Sequence, residues 1–282
     1  MKNTISLSIL LVSIFMTLSC SSDDNSETPD VIVIDLKQLV KTEKKNETFK
    51  SDYSYNSEDI LTNWTGIHPN FSYVVDFAYN ADGNIILETY ELTTDETITT
   101  ETIYEYDSNG NLTRYNDMNL TYNGATINAT GTTRGFEDID IQLEVNADGL
   151  VTKLSEPDNY QVFEYDTSGN LIGFNNYDNN DILLNTFSLS YDQSNNPFLG
   201  QLKSLYIQRF ITTFFPAPTN GIYIGGIDGY RFPYLKNNIV TISENEEIIA
   251  TTTYNYNSEN NPMNVNEEYF GESFLYDIAY YN

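Results

Sequence analysis

Oxygen-bearing side chains stand at alternate positions in several short segments of this chain. Asp107, Asn109 and Asn111 form one such set, which could offer ligands to calcium. Calcium takes about six to eight oxygen ligands, and an EF-hand loop completes its set with a bidentate Glu. Here Gly110 interrupts the set early and the ligand ring is incomplete. Calcium therefore stays an alternative to ordinary turn geometry, which accounts for every Asp, Asn and Gly in the segment.

One histidine and one cysteine limit the covalent and metal chemistry of the chain. His68 alone cannot form a zinc site built on several histidines, and no nucleophile stands beside it in the sequence. Cys20 has no partner for a disulfide. Two of the 41 acidic residues could hydrolyse a glycoside, but no motif singles out a pair. We therefore predict a protein that is not an enzyme, has no metal site and uses no cofactor.

Aromatic side chains offer a third chemistry, because their rings stack on sugars and anchor protein partners. Trp64 opens the segment 64–69, which we interpret as a loop. A Gly- and aromatic-rich loop at 219–234 interrupts the repeat described below, and recognition residues tend to lie on loops held by a rigid frame. In the alternative interpretation these rings only cover the ends of a sheet. The predicted ligand-binding residues are Trp64, Tyr223, Asp228, Tyr230, Arg231, Phe232 and Tyr234.

A repeated turn must position these side chains. The heptapeptide at 106–112, Tyr-Asp-Ser-Asn-Gly-Asn-Leu, returns at 165–171 and 79–85, and more loosely at 145–150. Asp or Asn at the first turn position and Gly at the fourth predict a type I turn closed by a left-handed glycine. Degenerate copies begin at Tyr55, Tyr191 and Tyr256. They place Asp59, Asn195 and Asn260 where the glycine stands elsewhere.

The segments that flank these turns alternate apolar with polar residues and are rich in Tyr, Thr, Ile and Val, which is typical of strands. We predict an all-β fold, an antiparallel meander of repeated β-hairpins in a large twisted sheet that is either open or curled on itself. Spacings of three and four among apolar residues predict one short helix near 199–215. The segment 31–45 is compatible with a strand that runs into a short helix.

The N-terminal residues have the pattern of an export signal. Lys2 precedes an apolar stretch from Ile5 to Leu18, and Ser19-Cys20 follow it. This arrangement resembles a bacterial lipoprotein cleavage site, in which the cysteine carries the lipid, although Thr17 stands where that site prefers Leu. The alternative is an ordinary secretory signal. We predict a signal peptide at 1–19, an acidic flexible tether at 20–30 and a single β-rich repeat domain at 31–282.

Charge narrows the choice of partners. The formal charge is −28, from 41 acidic and 13 basic residues. Nucleic-acid binding requires clusters of Lys and Arg, so we predict no nucleic-acid partner. A lipid on Cys20 would attach the protein to a membrane, and a carbohydrate or another envelope protein is the further partner that we expect.

The Tyr-Asp-x-x-Gly-Asn-Leu copies resemble the tyrosine-aspartate (YD) repeats of Rhs-type proteins. They are similar to the degenerate versions in short lipoproteins of Bacteroidota-type bacteria. That resemblance implies a β-sheet scaffold and no catalytic residue. The acidic segment after Cys20 is similar to the export signal of surface-displayed lipoproteins in such bacteria, so we expect a lipid-anchored position on the outer membrane with surface exposure. An anchor that faces the periplasm is the alternative. The leading hypothesis is a non-enzymatic binding or scaffold surface. The alternatives are a glycan-binding component of a nutrient-uptake system and a hydrolase that uses carboxylates.

Overall fold

The computed structural model describes residues 38–133, 136–216 and 232–281. As predicted, the fold is all-β, and these ranges contain eighteen antiparallel strands and one short α-helix. The strands are β1 Val40–Lys45, β2 Phe49–Tyr55, β3 Leu61–His68, β4 Phe71–Tyr79, β5 Ile85–Thr93, β6 Thr97–Tyr106, β7 Leu112–Tyr115, β8 Met118–Asn123, β9 Thr126–Thr133, β10 Phe136–Val145, β11 Val151–Ser155, β12 Asn159–Tyr165, β13 Leu171–Asp178, β14 Leu183–Asn195, β15 Asn237–Glu244, β16 Glu247–Tyr256, β17 Pro262–Tyr269 and β18 Glu272–Tyr280. The helix α1 spans Tyr206–Phe214 and follows a 3-10 turn at Lys203–Leu205.

The sheet closes into a barrel. Each strand pairs with the next strand along the chain, and β18 pairs with β1 from Val40↔Tyr280 to Lys45↔Tyr276. The predicted meander is confirmed. Of the two alternatives left by the sequence, an open sheet or one curled on itself, the structure has the second, because β18 pairs with β1. Closure gives every described strand a neighbour on both sides, which removes most of the exposed sheet edge that promotes aggregation.

The repeated turns have the predicted geometry. In each clear copy the Gly N–H donates to the carbonyl of the first turn residue at 3.1 Å, as from Gly110 to Asp107. The four glycines have φ between +79° and +86°. Asp59 and Asn260 adopt the same left-handed conformation, with φ of +60° and +61°. We call the end of the barrel that carries these turns the turn end, and the end that carries the β1–β2 and β3–β4 turns the cavity end.

Tyrosine hydroxyls tie neighbouring hairpins together at the turn end. Tyr106 at the end of β6 donates to the carbonyl of Ile85 at the start of β5, at 2.8 Å. The same contact recurs around the barrel, from Tyr79 to Leu61, Tyr122 to Leu112, Tyr165 to Val151, Tyr191 to Leu171, Tyr254 to Ile239 and Tyr280 to Pro262. Each hydroxyl gives a hydrogen-bond donor to a carbonyl at or near the first residue of a strand.

One copy of the repeat is split by an insertion. Tyr191 pairs with Ile239 as Tyr106 pairs with Leu112, although more than forty residues now separate the partners. Asp192 Oδ1 accepts from the N–H of Ser194 at 3.0 Å and from that of Asn238 at 3.2 Å. The prediction that Asn195 occupies a glycine place in a hairpin turn is wrong, because Asn195 pairs with Asn237 and the hairpin is open.

The insertion lies inside the barrel, and we call its described residues, 196–216 and 232–236, the plug. Phe210 and Phe214 on α1 are fully buried, and their rings lie 4.7 and 4.8 Å from that of Phe163 on β12. The predicted helix near 199–215 is confirmed, with helical residues from Lys203 onward. The helix packs against the inner wall of the barrel because one of its faces is apolar and must be buried.

Plug side chains bond to backbone groups at the starts of strands. Gln201 Oε1 accepts from the N–H of Leu61 at 2.9 Å, and Ser204 Oγ from that of Ile85 at 3.0 Å. Tyr206 Oη accepts from the N–H of Val151 at 3.0 Å. The pairing register shifts at each of these positions. Since a bulge takes an N–H out of the ladder, the repeat leaves donors that the plug uses.

Two local predictions are corrected by the strands. The segment 64–69, interpreted as a loop, begins within β3, which continues to His68. The described part of the segment 31–45 is strand β1, so the helical alternative fails at Val40–Lys45. No helix among residues 38–133, 136–216 and 232–281 is long and apolar enough to cross a membrane.

Candidate functional site

A cavity of about 620 Å³ lies inside the barrel and is lined by β1 to β5 and α1. Its volume falls within the usual range for small-molecule sites. The strand register orders its lining from mouth to floor. His68 and Phe71 pair near the cavity end, Gly66 and Tyr73 follow, and Trp64 pairs with Val75 deeper in.

Aromatic rings form one wall of the cavity. The ring of Phe49 lies 6.4 Å from that of Phe71 and 6.0 Å from that of Tyr73. Tyr73 in turn stacks on Tyr90 at 5.7 Å. Gly66 makes this possible, because a Cβ at its position would lie 2.3 Å from the ring of Tyr73. The absence of a side chain on β3 thus lets a ring from β4 lie across it.

The floor combines an apolar surface with a buried ion pair. Trp64 and Val75 are 2% and 1% exposed. Beside them Arg209 Nη2 donates to Glu88 Oε2 at 2.9 Å, and the hydroxyl of Tyr104 donates to the same oxygen at 3.0 Å. The side chains of Arg209 and Glu88 are 13% and 16% exposed. The ion pair joins α1 to β5, so the plug contributes to the floor as well as to the core.

The mouth carries a cation and the single histidine. The ammonium of Lys45 lies 4.6 Å above the ring of Phe274 and 5.1 Å above that of Tyr276. His68 stacks on Phe71 at 4.8 Å, and its Nδ1 accepts from the backbone N–H of Asn70 at 3.3 Å. These contacts hold Lys45 and His68 at the mouth of the cavity, where they would contact a ligand that enters.

This arrangement is suited to binding. Ring faces at the wall can pack against the apolar face of a sugar, and the polar groups at mouth and floor can bond its hydroxyls. His68 is the nearest candidate for a general base, and its Nδ1 already accepts a hydrogen bond. Within the described ranges no three His, Cys, Asp or Glu side chains form a group that could hold a metal ion.

The turn acids that resemble calcium ligands are engaged in turn geometry. Asp107 Oδ1 accepts from the N–H groups of Asn109 and Asn111 at 2.8 and 2.9 Å. Its Oδ2 accepts from Asn111 Nδ2 at 2.9 Å. The side-chain amide of Asn111, and then its backbone N–H, lower the pKa of Asp107 below its ordinary value. These bonds use the carboxylate to satisfy donors of the backbone.

The described residues place three of the predicted ligand-binding side chains. Trp64 lies at the cavity floor. Phe232 is 2% exposed and packs 5.9 Å from Phe214 in the core. Tyr234 donates to the carbonyl of Leu202 at 2.7 Å, within the plug. Cys20, Tyr223, Asp228, Tyr230 and Arg231 lie outside the described residues, so lipidation and ligand binding by them stay predictions.

Sequence reasoning missed most of the cavity. The aromatic residues at alternate positions of β4, from Phe71 to Tyr79, indicate an inward face, but they do not distinguish a core from a cavity wall. Arg209 stands on a predicted helix and Glu88 on a predicted strand, 121 residues apart. Their pairing depends on the plug entering the barrel, which no local pattern indicates.

Three solved structures are distantly similar to this chain. A porin-like protein from Bacteroides uniformis is 11% identical, with a TM-score of 0.36, over 86% of this chain and 98% of that one. A porin-like protein from Bacteroides vulgatus is 13% identical, with a TM-score of 0.35, over 86% and 99%. The Photorhabdus luminescens Tc holotoxin pore is 12% identical, with a TM-score of 0.26, over 80% of this chain and 9% of that one.

No curated protein matches the sequence. The family described as Teneurin YD-shell matches residues 23–219, which is most of the 282-residue chain. The matched region contains the four clear copies of the repeated turn, five of the seven tyrosine–carbonyl contacts described above, and α1. The resemblance to YD-repeat proteins is therefore confirmed, and this chain belongs to the Teneurin YD-shell family.

Proposed function

We propose that this chain is a non-enzymatic binding protein of the cell envelope, anchored to the outer membrane through a lipid on Cys20 and exposed at the cell surface. The observation that carries the binding role is the cavity at the cavity end, with its aromatic wall and the ion pair on its floor. The cysteine after an export-type segment supports the anchor. A lipid would leave the barrel in water, in keeping with exposed Glu101 and Glu105 on β6, whose neighbour Tyr104 is buried inside.

A second candidate function is a glycan-binding component of a nutrient-uptake system. The wall formed by Phe49, Tyr73 and Tyr90 favours it, because aromatic side chains are the ones that pack against sugar rings. Gly66 has no side chain, so Tyr73 can lie across β3 and take its place in this wall.

Binding is tested by screening the purified barrel against a glycan and small-molecule library. Trp64 is the only tryptophan, so a change in its fluorescence reports directly on the cavity floor. Tyr73→Ala should weaken any hit at least about tenfold, a loss of roughly 1.4 kcal/mol. Tyr160→Ala is the matched control, because Tyr160 also stacks on a tyrosine, Tyr177 at 4.9 Å, but does not line the cavity. A library without hits would refute the binding role.

The anchor is tested separately by metabolic labelling with an alkyne fatty acid. The wild-type chain should take up label and partition with outer membranes, whereas Cys20→Ser should be unlabelled and released. Protease added to intact cells should cleave the wild-type protein if it is displayed at the surface. An unlabelled wild-type chain would overturn the anchor and leave the cavity unaffected.

A further inference from the structure

Strand β6 extends beyond the strand that follows it. β5 pairs with β6 from Thr97 to Ile103, whereas β7 pairs only with residues 104–106. The turn after β7 adds one more contact, in which Ile103 exchanges hydrogen bonds of 3.1 Å with Asn116. Within the described ranges no strand pairs with residues 97–102 on the side away from β5. We call these six residues the free edge.

The backbone of the free edge offers hydrogen bonds at every second residue. Backbone groups alternate between the two sides of an antiparallel strand. The N–H and carbonyl of Ile103 point toward the turn after β7, so those of Thr99 and Glu101 point the same way, away from β5. Six residues of strand span about 20 Å, which is the length of a typical strand. The free edge is therefore long enough to pair with one further strand.

The free edge lacks the features that usually prevent such pairing. Native sheets protect their edges with Lys, Pro or a bulge. Residues 97–102 contain neither Lys nor Pro, and their pairing with β5 has no register shift. All of them except Glu101 are β-branched, and the side chains of Ile98 and nearby Ile103 are 58% and 55% exposed. An added strand would thus gain cross-strand contacts as well as backbone hydrogen bonds.

The surroundings of the free edge are acidic. Asp95 in the β5–β6 turn and Glu101 on the edge are exposed. Arg114 is the one basic residue between positions 85 and 123, and it pairs with Glu105 at 3.2 Å. A second copy of this chain, with its charge of −28, would bring like charges together. A strand that carries Lys or Arg would bring opposite charges together.

We propose that the free edge docks an extended, basic segment of a partner protein, which adds a strand to the barrel beside β6. The backbone groups of Thr99 and Glu101 bond to this strand, its β-branched side chains pack on Ile98, and its Lys or Arg side chains pair with Glu101. The described residues that line the cavity include none from β6, so this site is separate from the cavity and its test is independent of ligand binding there.

The test uses a fluorescein-labelled peptide, Lys-Val-Thr-Val-Lys-Val-Thr-Val-Lys, and follows its anisotropy as the full chain is added. A counterpart with Glu in place of Lys should bind at least about tenfold more weakly at low salt. A counterpart with N-methyl groups on its five central residues has lost the donors of both its edges, so it should also bind at least about tenfold more weakly. Added sodium chloride should weaken the binding of the basic peptide.

Variants locate the site. Thr99→Pro removes an N–H that points away from β5, a position where strands tolerate proline, and should weaken the basic peptide at least about tenfold. Thr99→Val keeps that N–H and the branched shape, so binding should stay within about twofold. Glu101→Gln should weaken binding about threefold. Glu268→Gln is its matched control, because Glu268 is an exposed acid on β17, which is paired on both sides. Thermal melting checks that all four variants are folded.

Amide hydrogen exchange reports on the edge directly. The N–H of Thr99 should exchange rapidly in the free protein and slowly with the basic peptide bound, because only the added strand gives it an acceptor. The N–H of Thr100 points to β5 and should exchange slowly in both states. Slow exchange of Thr99 without peptide would show that the edge is already paired and would overturn the proposal.

Other outcomes would contradict particular parts of the proposal. Equal binding of the N-methylated peptide would overturn strand addition, and equal binding of the acidic peptide would overturn the basic partner. A dimer of the chain alone that Thr99→Pro dissociates, measured by sedimentation, would show that a second copy occupies the edge. A monomeric chain that fails to bind the basic peptide would overturn the docking site and leave the cavity unaffected.

Discussion

The two ends of the barrel are stabilised by different interactions. At the turn end, backbone groups are satisfied by turn acids, by tyrosine hydroxyls and by the plug, as at Ile85, whose N–H bonds to Ser204 and whose carbonyl bonds to Tyr106. At the cavity end, the hairpins β1–β2 and β3–β4 differ from the repeat and carry Lys45, Phe49 and His68. The comparison indicates that the repeated turns form the frame of the barrel. The hairpins β1–β2 and β3–β4, which differ from the repeat and lie at the other end, form the part that can recognise a ligand.

The split turn shows how strongly the repeat constrains its ends. Asp107 and Asn111 are four residues apart, yet Asp192 and Asn238 make the same pair of contacts across the plug. An insertion can therefore be accommodated inside a turn while Tyr191 and Ile239 keep the pairing that Tyr106 and Leu112 have in the uninterrupted repeat. The plug is in effect a long loop directed inward, and the energy that holds it comes from burial of its apolar face.

The largest predicted effect compares the removal of one aromatic ring from the plug with the removal of one from the cavity wall. Phe210→Ala at the plug core should lower the free energy of unfolding by about 3 to 5 kcal/mol, because it leaves a cavity among buried rings. Phe71→Ala at the half-buried cavity wall should cost less than about 2 kcal/mol. Urea unfolding measures both. A larger loss from Phe71→Ala would show that the cavity end, not the plug, dominates stability.

The second prediction compares two turns of the repeat, one that bonds to the C-terminal end of the plug and one that does not. Asn170 Oδ1 accepts from the N–H groups of Lys236 at 2.8 Å and Asn237 at 3.0 Å. Asn170→Ala should therefore cost about 2 kcal/mol, since two partly buried donors lose their acceptor. Asn111→Ala, at the same place in a turn away from the plug, should cost about 1 kcal/mol. Equal losses in chemical denaturation would mean that the plug is not held through Asn170.

The tyrosine contacts at the turn end predict a response to alkali. Burial raises the pKa of Tyr106 to about 12. An unfolded tyrosine ionises near pH ~10, so the contribution of this group is complete below that pH. The contribution is lost as the pH rises toward the folded value. Tyr106→Phe should cost about 1 kcal/mol at neutral pH through the lost bond to Ile85, and less in alkali. Stability curves for both proteins from pH 8 to 11 would test this, and parallel curves would contradict it.

The smallest effect concerns acid and an exposed turn. Since bonds from Asn111 lower the pKa of Asp107, its contribution is present above the unfolded value of about 4 and is lost as the pH falls through the folded value. Asp107→Asn keeps the Oδ1 acceptor but cannot titrate. Its thermal stability should fall less than that of the wild type between pH 5 and 2. Identical acid profiles would show that the turn carboxylate contributes nothing through its charge.

The local sequence was sufficient to predict the turns and strands that form the frame of the barrel. Asp or Asn with Gly three residues later determines a turn through backbone geometry alone, and alternation in the flanking segments determines which face is buried. The same turn chemistry correctly predicted that Asp59 and Asn260 take the left-handed conformation that glycine has in the other copies. It failed at Asn195, because the local pattern there is that of a hairpin and only the distant return of Asn237 shows that the hairpin is open.

Closure of the barrel and formation of the cavity depend on contacts between residues far apart in the chain. β1 meets β18 across the whole described chain, and Arg209 reaches Glu88 only because the plug lies inside the barrel. Trp64 likewise becomes a cavity floor rather than a loop residue because β3 continues to His68. Turn propensity acts over a few residues, whereas burial of apolar surface acts on the folded chain as a whole. The turns could therefore be predicted from the sequence, and the cavity could be located only in three dimensions.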